Sequence, residues 1–203
     1  KMKKIYLFLL LFVISATVIA QTNLDTAVDF SVTLTTGETI ELFPILDEGK
    51  LVVLDFFHVN CSGCKLYSPE MEKAYQDFGC NTGNVVFIGI NKWDALEDVI
   101  AFDDEYGVTF PTASGDAYGG GLTVFNQYGI QGTPTLIIID PDRTILKKII
   151  WPPDQETIVA EVESFGGVQK DCSSSINSNL HQNLSFRIAP NPANEYINLF
   201  LSE

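Results

Sequence analysis

Two cysteines three residues apart, in the run Cys61-Ser62-Gly63-Cys64, carry the most chemistry in this sequence. Thiols at that spacing can close a small disulfide and open it again by thiolate attack. The pair follows directly on the apolar run Leu51-Val52-Val53-Leu54-Asp55-Phe56-Phe57 and heads a segment, Cys61 to about Phe78, that reads as a helix. N–H groups at a helix N-terminus carry partial positive charge, which favours thiolate over thiol at the first sulfur. Cys61 is therefore expected to be the nucleophile, and Cys64, one turn further in, the resolving thiol. Half of a zinc site and an inert structural pair are the competing readings. No second Cys-x-x-Cys or Cys/His pair follows at ligand spacing. A four-residue disulfide loop is also easily reduced, which suits exchange better than stapling.

Asp55 interrupts the apolar run ahead of the pair. Burying an ionised carboxylate is costly, so its proton affinity should rise, which fits a proton acceptor for Cys64 acting through a water. The plainer reading is a strand residue whose side chain reaches a loop or a lysine. His58 stands three residues before Cys61 and could tune it or bind metal, but a lone histidine with no second ligand reads as an ordinary polar residue. His181 falls in a polar stretch and has no role. Trp93 and Trp151 read as packing or rim residues. Gly119-Gly120-Gly121 lacks the strand–GK[ST]–helix setting of a phosphate loop and reads as a flexible loop flanking the active site. No cofactor and no metal is expected.

The formal net charge is −14, from 12 basic and 26 acidic residues. Residues 1–20 contain three of the lysines and no acid, so without them the balance is −17. A surface that acidic repels phosphate backbones, and nucleic acid is excluded as a partner. Residues 1–20 read as a secretory signal peptide: Lys1, Lys3 and Lys4, then apolar Ile5 to Ile14, then Val18-Ile19-Ala20 before Gln21. Export would place the four cysteines where disulfides persist.

The elements that must position the pair follow from pattern. Phe30–Leu34 and Thr39–Leu42 alternate around Thr36-Gly37 and predict a hairpin. Leu51–Phe57 is apolar on both faces, as in a central strand covered by helices on both sides. The helix after it carries Leu66, Met71, Ala74, Tyr75 and Phe78 on a common face, with Pro69 as a kink. Asn84–Ile90 is a second buried strand. Asp94 with Glu97 resembles a capping box for a helix to Tyr106, stopped by Gly107. A short helix is expected near Leu122–Tyr128, and a strand at Thr135–Ile139 with Thr144–Trp151 returning as its partner. The last helix runs Gln155–Phe165 and ends at Gly166-Gly167. Residues 173–184 read as a linker, and 185–203 as the opening of a further domain cut short.

The order hairpin–β–CxxC helix–β–α–Pro strand–hairpin–α resembles the thioredoxin fold, and in particular the exported TlpA-type disulfide reductases (redoxins). The matching features are the CxxC, Asp55 six residues before Cys61, Pro69 five after Cys64, and Gly132-Thr133-Pro134-Thr135 ahead of a strand. The resemblance covers about Asp25 to Gly167, within a domain assigned to 21–172. It implies an α/β fold, a three-layer α/β/α sandwich with an added N-terminal hairpin. It implies a cis Pro134 against the dithiol, freeing the backbone of Thr133 for strand-like pairing with substrate. In that arrangement the CxxC helix and the last helix share a sheet face and run the same way. Their far ends then meet, and Cys80 and Cys172 are expected to form a structural disulfide. Asn60 replaces the usual aromatic residue before the first cysteine, and Ser62-Gly63 lacks the usual proline, leaving the direction of electron flow open.

The function implied is a secreted thiol–disulfide oxidoreductase. Its partners would be a protein or small-molecule disulfide or thiol and an extracytoplasmic electron donor. One alternative is a thioredoxin-fold peroxidase of the alkyl hydroperoxide reductase/thiol-specific antioxidant group, in which a Thr stands where this chain has His58. The other is a non-catalytic surface module. Ala189-Pro190-Asn191-Pro192-Ala193 with Tyr196–Leu199 is similar to the opening of type IX secretion sorting domains. That resemblance implies secretion machinery as a partner and a cell-surface or secreted location reached through the periplasm.

Overall fold

Every residue of the strand Leu51–Phe57 (β3) is buried, so the strand needs a layer on each face. The computed structural model describes residues 22–172, 186–189 and 198–201. The expected signal peptide at 1–20 and linker at 173–184 lie outside the described residues.

Before β3 come Ser31–Thr33 (β1) and Thr39–Glu41 (β2), which pair antiparallel as the expected hairpin, and a short helix Leu42–Asp47 (α1). After it come Ser62–Asp77 (α2), Val85–Asn91 (β4), Leu96–Tyr106 (α3), Thr112–Ala113 (β5) and Gly121–Gln127 (α4). Thr135–Ile139 (β6), Ile145–Lys147 (β7) and Gln155–Ser164 (α5) complete the fold. The main sheet runs β5-β4-β3-β6-β7, with β3 parallel to β4 and antiparallel to β6. Phe186–Ala189 (β8) and Asn198–Leu201 (β9), inside the segment expected to open a further domain, pair antiparallel.

Alternation along β3 sorts the core into two layers. Val52, Leu54 and Phe56 pack with α1, α4 and the hairpin, through Leu42, Leu46, Val124 and Phe125. Leu51 and Val53 pack with α2 and α5, through Met71, Ala74, Ile158 and Val162. Phe57 meets Val99 and Phe102 of α3 beside the two cysteines. Asp55 has the parity of Val53 and Phe57 and therefore faces the α2 layer. The result is the three-layer α/β/α sandwich with an added hairpin.

Several local expectations are corrected. Leu66 is 65% exposed and off the buried face of α2, which Cys64, Ser68, Met71, Glu72 and Tyr75 make instead. It lies about 200° around the helix from Cys64. Asp94 does not cap α3: the cap residue is Ala95, with no side-chain bond, because the Asp94 carboxylate is used elsewhere. Leu42 leaves the hairpin to start α1, whose Leu42 and Leu46, four apart, both bury. The returning strand beside β6 covers only Ile145–Lys147, not Thr144–Trp151, and β5 carries no pattern of its own. The glycine-rich stretch is a held turn: the Asp116 carboxylate accepts from Ser114 Oγ at 2.7 Å and from the N–H groups of Tyr118 and Gly119 at 3.1 Å.

Candidate active site

Cys61 is the N-cap of α2, and its Sγ accepts the Cys64 N–H at 3.0 Å. The chain reaches that cap through a turn closed by Cys61 N–H to His58 C=O, at 3.1 Å. Cys61 and Cys64 are disulfide-bonded, with Cα atoms 5.2 Å apart. Cys64 is fully buried and Cys61 is 7% exposed, so the first sulfur is the one a partner can reach. It also receives the end of the helix dipole, which stabilises a thiolate once the bond opens. Ser68 Oγ donates to Cys64 C=O at 2.8 Å, and α2 runs unbroken through Pro69.

Asn91 and Asp94, at the end of β4, hold the loop ahead of the cap. Asp94 Oδ2 accepts from the Val59 N–H and from Asn91 Nδ2, each at 2.9 Å, and Asn91 Oδ1 accepts the N–H groups of Trp93 and Asp94. Both side chains are buried, and sequence reasoning missed them. The Asp94–Glu97 spacing suggested a capping box and concealed the real contact, which only the fold makes.

Across the dithiol lies the turn before β6, where the Thr133–Pro134 peptide is cis. A Cβ placed on Gly63 would sit 2.9 Å from Pro134 Cδ and 3.9 Å from Cys61 Sγ, so Pro134 rests on the Cys-Ser-Gly-Cys loop. Thr133 is half-buried beside it. Among the described residues, no hydrogen bond takes up its N–H or C=O.

Asp55 lies beneath α2, 5% exposed, and its Oδ1 is buried with no partner among the described residues. Burial, and secondarily the negative charge of Asp103, push its pKa up to about 8. Among the described residues, no lysine acts on it. A carboxyl group so placed holds its proton to a higher pH than an ordinary aspartate.

A model of the AhpC/TSA family matches residues 24–148. The chain belongs to the AhpC/TSA family. Among its relatives, the thiol-disulfide oxidoreductase ResA of Halalkalibacterium halodurans is 35% identical over 123 residues. That match covers 61% of this chain and 65% of ResA, so the chain spans just under two thirds of that relative. Solved structures show the thioredoxin fold. The thioredoxin domain of a thiol-disulfide oxidoreductase from Bacteroides vulgatus aligns at 23% identity and TM-score 0.58, covering 69% of this chain and 94% of that one. A thiol:disulfide interchange protein from Chlorobium tepidum aligns at 22% identity and TM-score 0.58, covering 68% and 94%.

The remaining candidates in this AhpC/TSA chain lie around or away from the dithiol. His58 meets Trp93 with ring centroids 5.4 Å apart and the planes tilted by 41°, and burial lowers its proton affinity against the opposing pull of Asp94. Among the described residues, no group of three His, Cys, Asp or Glu side chains could hold a metal. Trp93 and Trp151 are rim residues, 53% and 61% exposed, and Trp151 meets Tyr67 of α2 edge-on at 5.8 Å. Cys80 and Cys172 are disulfide-bonded, 92 residues apart in sequence, with Cα atoms 5.2 Å apart. They lie at the far end of α2 from the active site.

Proposed function

We propose that this chain is an exported thiol–disulfide oxidoreductase working through Cys61 and Cys64. The disulfide at the head of α2, with Pro134 resting on its loop, carries this reading. In the reductive direction the Cys61 thiolate attacks a substrate disulfide, forming a mixed disulfide and expelling one substrate thiolate. Cys64 then gives its proton to Asp55 in its ionised form, whose share grows as pH rises towards 8, and attacks Cys61 Sγ. The intramolecular bond forms, the mixed disulfide breaks, and the second substrate sulfur leaves with the electron pair. Thr133, with its free N–H and C=O beside the dithiol, would pair in strand fashion with the substrate backbone. The reverse sequence oxidises a dithiol substrate. Reduced Cys61 and Cys64 are regenerated by an extracytoplasmic thiol donor.

The AhpC/TSA family name also covers peroxidases. His58 stands where those enzymes bind peroxide with a Thr, and the buried Asp55 and Cys64 serve disulfide resolution, which argues for exchange. A non-catalytic surface module would need neither. Export is supported by the signal-like residues 1–20 and by the Cys80–Cys172 bond, of a kind that persists in oxidising compartments. We assign 21–172 to the catalytic domain, 173–184 to a linker and 185–203 to the opening of a type IX sorting domain, giving a cell-surface or secreted protein. Turnover of insulin disulfides and of hydrogen peroxide tests the reading. Insulin reduction that is lost in Cys61→Ser is expected, and peroxide turnover without insulin reduction would overturn it.

A further inference from the structure

Asp103 of α3 is the one strongly perturbed carboxyl group that the exchange chemistry leaves unused. It sits in an acidic run, Asp103-Asp104-Glu105, that reads in sequence as a solvated helix face. The sheet makes it something else. In register across the sheet, Asp55 of β3 pairs with Gly89 of β4, and Gly89 pairs with Thr112 of β5. These strands are parallel, so the three residues point to the same face. Gly89 has no side chain of its own, and the space over it is filled by the Thr112 methyl and the rings of Phe110 and Phe57. A Cβ there would meet Thr112 Cγ2 at 2.9 Å, Phe110 at 3.2 Å and Phe57 at 3.3 Å. Thr112 Oγ1 donates to Asp103 Oδ2 at 2.5 Å and lies 3.3 Å from Thr35 Oγ1. Asp103 and Thr35 both line an open cleft of about 360 Å³ between α3 and the hairpin. Asp55 and Asp103 each keep Oδ1 buried and unpartnered among the described residues.

We propose that Asp103 is a positioning residue for the Cys64 step: its charge acts on Asp55 from across the Gly89 position, and the bond from Thr112 beside the cleft holds that charge in place. This rests on the exchange mechanism above. The proton that leaves Cys64 Sγ goes to Asp55, and the charge on Asp103 sets how readily Asp55 takes it. Burial also lifts Asp103 to about 7, with the Thr112 bond opposing and Asp104 and Glu72 assisting. Besides each other, the charged groups that bear on the two carboxyls are Glu72 of α2 and Asp104 of α3. The flanking strand positions, Gly89 and Leu136, are uncharged. Among the described residues no cation balances the pair, so an ionised Asp103 keeps the proton on Asp55 and delays its action as a base.

The test is the carboxyl-carbon NMR titration of Asp55 in the oxidised full chain, with the pH–rate profile of the Cys64 step alongside. In Asp103→Asn the proton affinity of Asp55 should fall about tenfold, and the rise of the rate should move to lower pH with it. Asp98→Asn makes the same charge change at an exposed site of α3 and should move neither. Thr112→Val keeps the side-chain shape and removes the donor to Asp103. It should raise the Asp103 midpoint and lower that of Asp55, and it serves if Asp103→Asn does not fold. An Asp55 midpoint unmoved in the folded variants overturns the proposal. A midpoint that moves while Asp55→Asn leaves the pH–rate profile unchanged would instead remove the base role of Asp55 and leave the coupling standing.

Discussion

At Asp55 the fold keeps a carboxyl group away from the water that would have solvated it, and the cost appears in the pH dependence of stability. Asp55 and Asp103 bind protons more tightly folded than unfolded, with pKa values near 8 and 7 against an ordinary 3.8. Their contribution is therefore whole below about pH 4 and is lost as pH rises through 7 and 8. Asp55→Asn should match the parent in urea denaturation at pH 4 and exceed it by roughly 3 kcal/mol at pH 9. Its exchange rate at neutral pH should fall, and an unchanged stability difference between the two pH values would refute the assignment. Asp55 was legible in the sequence because a charge inside a run apolar on both faces has few benign explanations. Asp103 was not, because its neighbours in sequence are solvated acids and its partner Thr112 reaches it only through β5.

The elements divide in the same way. β3, β4, β6, α2 and α5 follow from apolar runs and helical spacing, and the CxxC fixes which helix end carries the chemistry. The loop ahead of Cys61 is different, since its order comes from Asp94 and Asn91 at the end of another strand. Asp94→Ala leaves the Val59 N–H and the Asn91 amide without their acceptor. Leaving such groups unpaired should cost about 1–3 kcal/mol in the denaturation midpoint and slow disulfide exchange as the cap loosens. A variant unchanged in both would mean that the loop is held by other contacts. β5 and α1 escaped the pattern because one is two residues long and the other buries only Leu42 and Leu46.

Over the whole molecule, the chemistry and the tether occupy opposite ends of one helix. The sixteen residues of α2 put about 24 Å between Cys61 and its far end, where Cys80 meets Cys172. Asn84 and Lys170 reinforce that end: Asn84 bonds Gly166 C=O and Val168 N–H, and Lys170 N–H bonds Asp77 C=O. Closing a loop of 92 residues restricts the unfolded chain. The double variant Cys80→Ser/Cys172→Ser should therefore lose about 2–4 kcal/mol of stability while keeping its exchange rate at low temperature. A midpoint equal to that of the parent would show that the bond does not form in the oxidised protein. The layer order and the meeting of the two helix ends were legible through the resemblance of element order. The cleft between α3 and the hairpin was not, because it joins segments some seventy residues apart.

The central claim is that Cys61 attacks and Cys64 resolves. Mass spectrometry of the reduced protein mixed with a disulfide-bonded peptide tests it most directly. Cys64→Ser should accumulate a mixed disulfide on Cys61, and Cys61→Ser should accumulate none. An adduct on Cys64 in Cys61→Ser at the rate of the other variant, or no adduct in either, would contradict the account.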